Sequence, residues 1–326
     1  MTSLVEARNI KKYFPLSRGF FSWGRINTVK AVDGVSLHVE ERKTLGLVGE
    51  SGCGKSTLGR IILGLIKPTA GEVYFNGANI HTLNREGLRK FRQENQIVFQ
   101  DPFASLNPRK TVGSILRGPY IEHRPSARDE IESNVHQLLE FVGLSPPEQF
   151  MNRYPHELSG GQRQRIGIAR AIALSPKLIV TDEPVSSLDL SIRGQILNLL
   201  KSLQEKLGTT YLFITHDLAV VRSMADRVAV MYLGKIVEQA GVDELYASPK
   251  HPYTQAILNA TPILNPKLAR ARKRSLIGGE PPSAINPPSG CRFHPRCPFV
   301  KPICKQQEPQ LVEIEPRHST SCWLYE

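Results

Sequence analysis

Residues 45–57 read LGLVGESGCGKST, an apolar run followed by a glycine-rich loop. Residues 49–56 match the pattern G-x-x-x-x-G-K-[S/T], and a helical run follows the loop. Glycine lets the backbone wrap so closely that its N–H groups face a polyphosphate at a helix N-terminus. Lys55 is then expected to reach the β- and γ-phosphates, and the Ser56 hydroxyl to bind Mg²⁺. The stretch predicts a phosphate-binding loop, called the P-loop (residues 49–57) below.

The P-loop residues expected to contact the nucleotide form one set. They are Gly49, Ser51, Gly52, Cys53, Gly54, Lys55, Ser56 and Thr57. Cys53 lies two residues before Lys55 and close to the start of the predicted helix. Both neighbours favour a thiolate, so the sequence predicts a lowered pKa and a reactive thiol at Cys53.

A second apolar run, residues 178–181, ends in two adjacent carboxylates. Asp182 stands at the exit of this predicted strand, where a P-loop protein needs a carboxylate for Mg²⁺. Glu183 follows it, and its spacing suits a general base that polarises the attacking water. The pair predicts that the bound nucleotide is hydrolysed.

Short apolar runs alternate with helical patterns up to about residue 250. One helical pattern, residues 192–207, ends at Gly208. This rhythm predicts an α/β fold with a parallel sheet covered by helices. The predicted buried strands are residues 45–48, 96–99, 178–181 and 211–214.

Two segments depart from this rhythm. Residues from about 105 to 174 contain helical patterns without a convincing strand, which predicts a helical insertion in the α/β core. After residue 250 the chain is rich in proline, which leaves little room for long regular elements. We therefore expect a domain of residues 1–250 and a separate C-terminal extension of residues 251–326.

Composition and charge limit the class of protein. A prior of roughly 150 residues per domain predicts about two domains for 326 residues. The net charge of +12 favours an anionic partner: a nucleotide, a nucleic acid or the acidic face of a membrane. No apolar run approaches the roughly 20 residues of a spanning helix, and residues 1–6 lack a signal pattern. We therefore expect a soluble, cytoplasmic protein.

Residues 158–162 read LSGGQ and precede a long helical stretch. Exposed N–H and hydroxyl donors at that helix N-terminus predict a second anion site. With this segment, the sequence resembles the ATP-binding cassette (ABC) family from residue 1 to about residue 250. The resemblance implies a RecA-like P-loop NTPase core with an antiparallel β subdomain and a helical signature subdomain.

The resemblance also implies roles for single residues. Gln100 matches the Q-loop glutamine that senses Mg²⁺ and water and faces a transmembrane partner. His216 matches the switch histidine that contacts the γ-phosphate. Phe14 matches the aromatic residue that stacks on adenine, with adjacent Tyr13 as the alternative.

Members of this family act as pairs of cassettes, in which the LSGGQ segment of one closes on the ATP of the other. The chain holds a single cassette, so the resemblance implies a second ATPase subunit as its partner. The residues expected at the dimer interface and the partner's ATP are Ser159, Gly160, Gly161, Gln162 and Asp189.

Two function classes fit an ABC protein: an ATPase that drives transmembrane partners, and a soluble ATPase acting on nucleic acid. The basic stretch 269–274 is interpreted as a solvated linker face, not a nucleic-acid patch. Residues 101–109 (DPFASLNPR), residues 251–256 (HPYTQA) and the Cys-rich tail resemble the F-type ATP-binding subunits of bacterial dipeptide or oligopeptide importers.

That resemblance implies a complete importer around the chain. Its expected partners are two transmembrane permease subunits and an extracytoplasmic peptide-binding protein, and nucleic acid is not among them. The expected location is the cytoplasmic face of the bacterial inner membrane. The cargo stays open, because similar subunits move nickel, glutathione, murein peptides or sugars.

Four of the five cysteines fall in the extension: Cys291, Cys297, Cys304 and Cys322. A reducing cytosol disfavours disulfides, and a short segment with little apolar material needs another kind of cross-link to be stable. Wide spacing fits an iron–sulfur cluster better than structural zinc, which usually binds close C-x₂₋₄-C pairs. The resemblance to peptide-importer subunits also favours a [4Fe–4S] cluster. Zinc stays the alternative, with His294 and His318 as further candidate ligands.

Overall fold

The computed structural model describes residues 3–16, 28–123, 128–260 and 278–326. The strands among them are β1 (Ser3–Pro15), β2 (Thr28–Glu40), β3 (Thr44–Val48), β4 (Ala70–Phe75), β5 (Ala78–Asn79), β6 (Asn95–Val98), β7 (Leu178–Asp182), β8 (Thr210–Thr215), β9 (Arg227–Tyr232), β10 (Lys235–Gly241), β11 (Val312–Glu315) and β12 (His318–Thr320). The helices are α1 (Lys55–Ile62), α2 (Arg85–Glu94), α3 (Pro102–Ser105), α4 (Val112–His123), α5 (Arg128–Phe141), α6 (Glu148–Met151), α7 (Gly160–Ile172), α8 (Leu190–Leu207), α9 (Leu218–Met224), α10 (Val242–Ala247), α11 (Pro252–Ala260) and α12 (Pro302–Gln306).

One compact unit contains residues 39–43 and 82–214. In it β6, β7 and β8 pair in parallel, with β7 in the centre. Every residue of β7 and β8 is buried, as in strands that are covered on both faces. Helix α8 begins at Leu190 and ends before Gly208, whose φ of 64° suits glycine at a helix C-terminus. The predicted parallel strands and this helix are confirmed.

The same unit carries the predicted helical insertion. Between β6 and β7 the described residues form helices and turns, from α3 to α7. Helices α4 and α5 are joined by an ion pair in which Arg117 Nε lies 2.7 Å from Glu132 Oε1. The helical part of the predicted fold class is therefore confirmed.

The other compact unit contains residues 3–38, 44–81 and 215–326. Its first sheet has the order β2-β1-β4-β5, with β1 antiparallel to β4, which confirms the expected antiparallel subdomain. In its second sheet β3 lies parallel to β9, and β9 is antiparallel to β10. The tail hairpin β11–β12 adds to this sheet because β12 pairs with β10.

Proline leaves the described part of the extension with short elements, as predicted: the longest is α11, with nine residues. The extension is nevertheless packed into the core of its unit. Phe293 is fully buried and contacts the rings of Tyr232 and Tyr253 at centroid distances of 5.3 and 5.5 Å. The basic stretch 269–274 lies outside the described residues.

None of the helices in the described ranges combines the length and apolarity needed to cross a bilayer.

Candidate functional site

The P-loop is shaped by two glycines that no other residue could replace without displacing backbone. Gly49 and Gly54 have φ values of 156° and 109°. A Cβ on Gly49 would lie 2.1 Å from the carbonyl oxygen of Met231, and one on Gly54 would lie 2.0 Å from that of Ala31. Helix α1 follows with Gly54 as N-cap, without a side-chain cap and without an acid in its first turn. Its N-terminus therefore offers backbone N–H groups to an anion.

Lys55 is buried at the base of this loop. Its Nζ donates to the carbonyl oxygens of Gly49 (2.8 Å) and Glu50 (2.9 Å). The loop thus holds the ammonium group inside its own curve. The phosphate oxygens of a polyphosphate bound in the loop would therefore lie close to the positive charge of Lys55.

The predicted lowering of the Cys53 pKa is wrong. Its side chain is buried inside the P-loop, and burial raises the pKa of the thiol although Lys55 lies nearby and opposes the rise. The Lys55 Nζ is 3.8 Å from the sulfur, but it is directed mainly to the two carbonyl oxygens. The thiol is therefore expected to stay protonated and slow to react at neutral pH.

Two of the predicted catalytic residues lie together in the unit of β7. Gln100 Nε2 donates to Glu183 Oε2 at 3.3 Å. The Glu183 N–H donates to the carbonyl oxygen of Ile214 (2.9 Å), while its φ is 48°, a left-handed value that is uncommon outside glycine. Asp182 precedes it as the buried last residue of β7. The carboxylate of Glu183 is thus held at a strand exit, directly after that of Asp182.

The LSGGQ segment forms the beginning of α7. The Ser159 Oγ accepts from the N–H of Gln162 (3.2 Å), and Gln162 Oε1 accepts from the N–H of Ser159 (2.9 Å), a capping box. A Cβ on Gly161 would lie 2.7 Å from Ile192 Cγ2, so the helix start packs closely on α8. Asp189 is exposed just before α8, next to Leu190, which is 82% exposed.

The remaining predicted contacts lie in the unit of β3. His216 is exposed between β8 and α9. Tyr13 donates to the Asp33 carboxylate, and burial together with this bond raises its pKa to about 12. The Phe14 ring is about one-third exposed, and Lys12 Nζ lies 5.0 Å from its centroid. Of the two aromatic candidates, Phe14 has the more accessible ring.

The four tail cysteines are free thiols that are at least partly buried. No three His, Cys, Asp or Glu side chains in the described ranges are arranged as a metal site, so these residues do not show the predicted [4Fe–4S] or zinc centre. Burial, aided by the charges of neighbouring tail thiols, raises the pKa of Cys291 to about 12 and that of Cys322 to about 11. His318, interpreted as a candidate ligand or surface residue, is buried, and its Nε2 lies 2.7 Å from Glu238 Oε1.

A buried polar cluster, which the sequence did not indicate, joins the extension to β10. Glu238 is fully buried and accepts hydrogen bonds from the N–H groups of Lys250 (2.7 Å) and His251 (2.9 Å) as well as contacting His318. His251 Nδ1 accepts from the N–H of Tyr253 (3.0 Å). These partners are 12 to 80 residues from Glu238 along the chain. No local pattern could have revealed them.

His251 predicts a pH dependence of stability. Burial lowers the pKa of His251 to about 4 from 6.5, against the opposing charge of Glu238. On lowering the pH, His251 is protonated in the unfolded chain at a higher pH than in the folded chain. The free energy of unfolding therefore has its full value above about pH 6.5 and falls by about 3 kcal/mol as the pH drops to about 4. His251→Asn keeps an acceptor for the Tyr253 N–H and is expected to lose this part of the pH dependence in urea unfolding at pH 7, 6 and 5.

The control for this variant is the exposed His156, in the other unit. His156→Asn is expected to unfold with the same pH dependence as the unaltered chain. Equal pH slopes for His251→Asn and the unaltered chain would show that His251 does not set the slope.

Similar proteins match nearly the whole chain. The ABC transporter family model matches residues 32–186, and that of the oligopeptide/dipeptide transporter C-terminal region matches residues 237–304. The oligopeptide transport ATP-binding protein AppF of Bacillus subtilis is 54% identical over 324 residues, covering 99% of this chain and 98% of AppF. The oligopeptide transport ATP-binding protein OppF of Salmonella typhimurium is 50% identical over 321 residues, covering 98% and 95%.

A solved structure is similar over about three-quarters of the chain. The dimeric ATP-binding cassette MJ0796, in a post-hydrolysis state bound to ADP and Pi, is 32% identical. The TM-score is 0.63, and the match covers 73% of this chain and 98% of MJ0796. This chain belongs to the ABC transporter family, in the branch of ATP-binding proteins that carry the oligopeptide/dipeptide transporter C-terminal region.

Proposed function

We propose that the chain is the ATP-hydrolysing subunit that powers import of dipeptides or oligopeptides through a multisubunit ABC transporter. The observation that carries this proposal is the similarity to AppF and OppF, which extends over nearly the whole chain and includes the C-terminal region. Residues 1–250 form the nucleotide-binding domain in this account, and residues 251–326 the importer-type extension.

The P-loop fits the phosphates of ATP. Gly49 and Gly54 leave only backbone at the positions where the loop is tightest. The uncapped start of α1 and the buried ammonium of Lys55 supply positive charge. On ATP binding, Lys55 exchanges its two carbonyl partners for phosphate oxygens.

Catalysis is assigned to residues beyond the P-loop. Mg²⁺, which screens the phosphate charge when bound, is assigned to the oxygen atoms of Ser56, Asp182 and Gln100, the donor type that this ion prefers. Glu183 accepts the proton of the attacking water, and Gln100 holds the carboxylate of Glu183 by the bond described above. His216 contacts the γ-phosphate, and Phe14 stacks on adenine.

A second ABC ATPase subunit completes the proposal, because MJ0796 was solved as a dimer. Ser159, Gly160, Gly161 and Gln162 then contact the partner's ATP. Asp189 and the exposed Leu190 suit the interface between the two subunits. Half-exposed Phe103, just after Gln100, suits a contact with one of two transmembrane permeases. The chain then works at the cytoplasmic face of the membrane, with an extracytoplasmic peptide-binding protein and without nucleic acid.

The test is the ATPase activity of the assembled complex in the presence of candidate cargo. We expect hydrolysis to rise when the binding protein is loaded with a di- or oligopeptide. Stimulation by nickel or glutathione instead would support the importer assignment but would show that the cargo is not a peptide. Stimulation of the isolated chain by nucleic acid would contradict the importer assignment.

A separate proposal concerns the four tail cysteines, which we propose bind a [4Fe–4S] cluster, with zinc as the alternative. The spacing of the four cysteines in the sequence supports it, as does the Lys301 N–H, which donates to Cys304 Sγ at 3.4 Å. Metal ligation would require the raised pKa values of Cys291, Cys297 and Cys322 to fall, because the ligands are thiolates.

Metal analysis of anaerobically purified protein tests this centre. Brown protein with about four irons per chain is expected for a [4Fe–4S] cluster. Cys297→Ser is expected to lower the iron content, whereas Cys53→Ser leaves it unchanged. Metal-free protein with all thiols reactive after unfolding would eliminate the proposal.

A further inference from the structure

Glu50 places an acidic side chain in a loop that binds polyphosphate. The N–H, the carbonyl oxygen and the carboxylate of Glu50 all have hydrogen-bond partners. Its N–H donates to Tyr253 Oη at 2.9 Å, and its carbonyl oxygen accepts from Lys55 Nζ at 2.9 Å. Its carboxylate accepts two hydrogen bonds from Arg296, at 2.9 and 3.1 Å. Two of these three partners, Tyr253 and Arg296, belong to the C-terminal extension.

Arg296 is itself fixed in place. Its side chain is only 6% exposed, and the Glu50 side chain is about three-quarters buried. The guanidinium donates to Tyr232 Oη (3.3 Å) and to the carbonyl oxygen of Gly278 (3.3 Å). The Arg296 N–H donates to the carbonyl oxygen of Phe293, which is anchored in the aromatic core. A bidentate pair between two such groups has a defined geometry.

A second contact brings the extension to the same side of the P-loop. Pro281, Pro282 and Ala284 line a cavity of about 120 Å³ whose other wall includes Glu50, Gly52 and Cys53. Ala284 also accepts a hydrogen bond from the Lys30 N–H at 3.0 Å. The extension therefore borders the loop at two points, the ion pair and this cavity.

We propose that Arg296 is a positioning residue for ATP binding: it neutralises Glu50 and fixes the Gly49–Glu50 backbone whose carbonyl oxygens hold Lys55. An unpaired carboxylate in this loop would repel the phosphates, because like charges at short range disfavour each other. This inference rests on the proposed ATPase function. It makes the importer-type extension part of the nucleotide site.

A double-mutant cycle between Glu50 and Arg296 tests the proposal with the full chain. The dissociation constant of ATP is measured by titration calorimetry, and KM and kcat are measured in the assembled complex. Arg296→Gln is expected to raise Kd and KM about tenfold while kcat stays within about twofold. In Glu50→Gln/Arg296→Gln no carboxylate is left to repel ATP, and Kd is expected to return to within about threefold of the unaltered value.

Two further variants make the cycle specific. Lys305→Gln removes one positive charge from an exposed position of the extension and is expected to leave Kd unchanged. Arg296→Lys keeps the charge but cannot make the two parallel hydrogen bonds of a guanidinium to the Glu50 carboxylate. The Kd for ATP is therefore expected to rise about two- to threefold, and to increase more steeply with salt concentration than that of the unaltered chain. This variant also serves if Arg296→Gln does not fold.

The outcomes separate the inference from the proposed function. An Arg296→Gln chain with the unaltered Kd, or a double variant as weak as Arg296→Gln, would overturn the positioning role. An Arg296→Lys chain with the unaltered Kd at every salt concentration would do the same. An unaltered chain that does not bind ATP would instead contradict the proposed function itself.

Discussion

Glu183→Gln is expected to bind ATP but to hydrolyse it on the order of 10²–10⁴-fold more slowly than the unaltered chain, because it removes the general base. Glutamine has the same shape and can keep a hydrogen bond to Gln100, so the strand exit is conserved while the proton acceptor is lost. Single-turnover hydrolysis in the assembled complex measures the rate. Size-exclusion chromatography with ATP is expected to show a stable closed dimer.

The matched control for this variant is Glu205→Gln, on an exposed position of α8. It removes a carboxylate of the same size from the same unit and is expected to hydrolyse ATP at the unaltered rate. Near-normal steady-state hydrolysis by Glu183→Gln would refute the role assigned to Glu183.

Lys55→Met is expected to weaken ATP binding on the order of 100-fold, since hydrogen bonds to a charged group contribute roughly 1.5–3 kcal/mol each. Methionine approximates the length of the buried side chain but cannot donate to phosphate, nor to the carbonyl oxygens of Gly49 and Glu50. Equilibrium titration with ATP measures the effect, and the unfolding midpoint checks that the chain folds.

An exposed lysine on α2 provides the control. Lys90→Met removes the same charge far along the chain from the P-loop and is expected to bind ATP as the unaltered chain does. A Kd for Lys55→Met within about threefold of the unaltered value would show that Lys55 does not bind the phosphates.

The central strands could be predicted because burial on both faces leaves a continuous apolar run in the sequence. Strands β3, β7 and β8 contain the predicted segments 45–48, 178–181 and 211–214. The P-loop could be predicted for a similar reason, since its backbone path demands glycine at fixed positions, as Gly49 and Gly54 show.

The role of the extension could not be predicted, because its contacts join distant residues. Arg296 and Glu50 are 246 residues apart, and His318 and Glu238 are 80 apart. Strands β11 and β12 have four and three residues, too few for a clear periodicity. They form because β12 pairs in antiparallel orientation with β10.

Cys53 shows how a local argument can fail. Its sequence neighbours, a lysine and a helix start, favour a thiolate, but burial opposes the charge more strongly and raises the pKa. The P-loop is also held by a distant part of the chain, because the Gly234 N–H donates to the carbonyl oxygen of Cys53 at 2.8 Å. That contact joins residues that are far apart in the sequence.

Peptide uptake by the reconstituted transporter tests the central claim most directly. The chain is combined with its second ATPase subunit, two permeases and the binding protein in lipid vesicles that enclose ATP and Mg²⁺. We predict that labelled oligopeptide accumulates in the vesicles with the unaltered chain and not with Glu183→Gln. Uptake that continues at the unaltered rate with Glu183→Gln, or a complex that hydrolyses ATP without moving any peptide, would contradict the account.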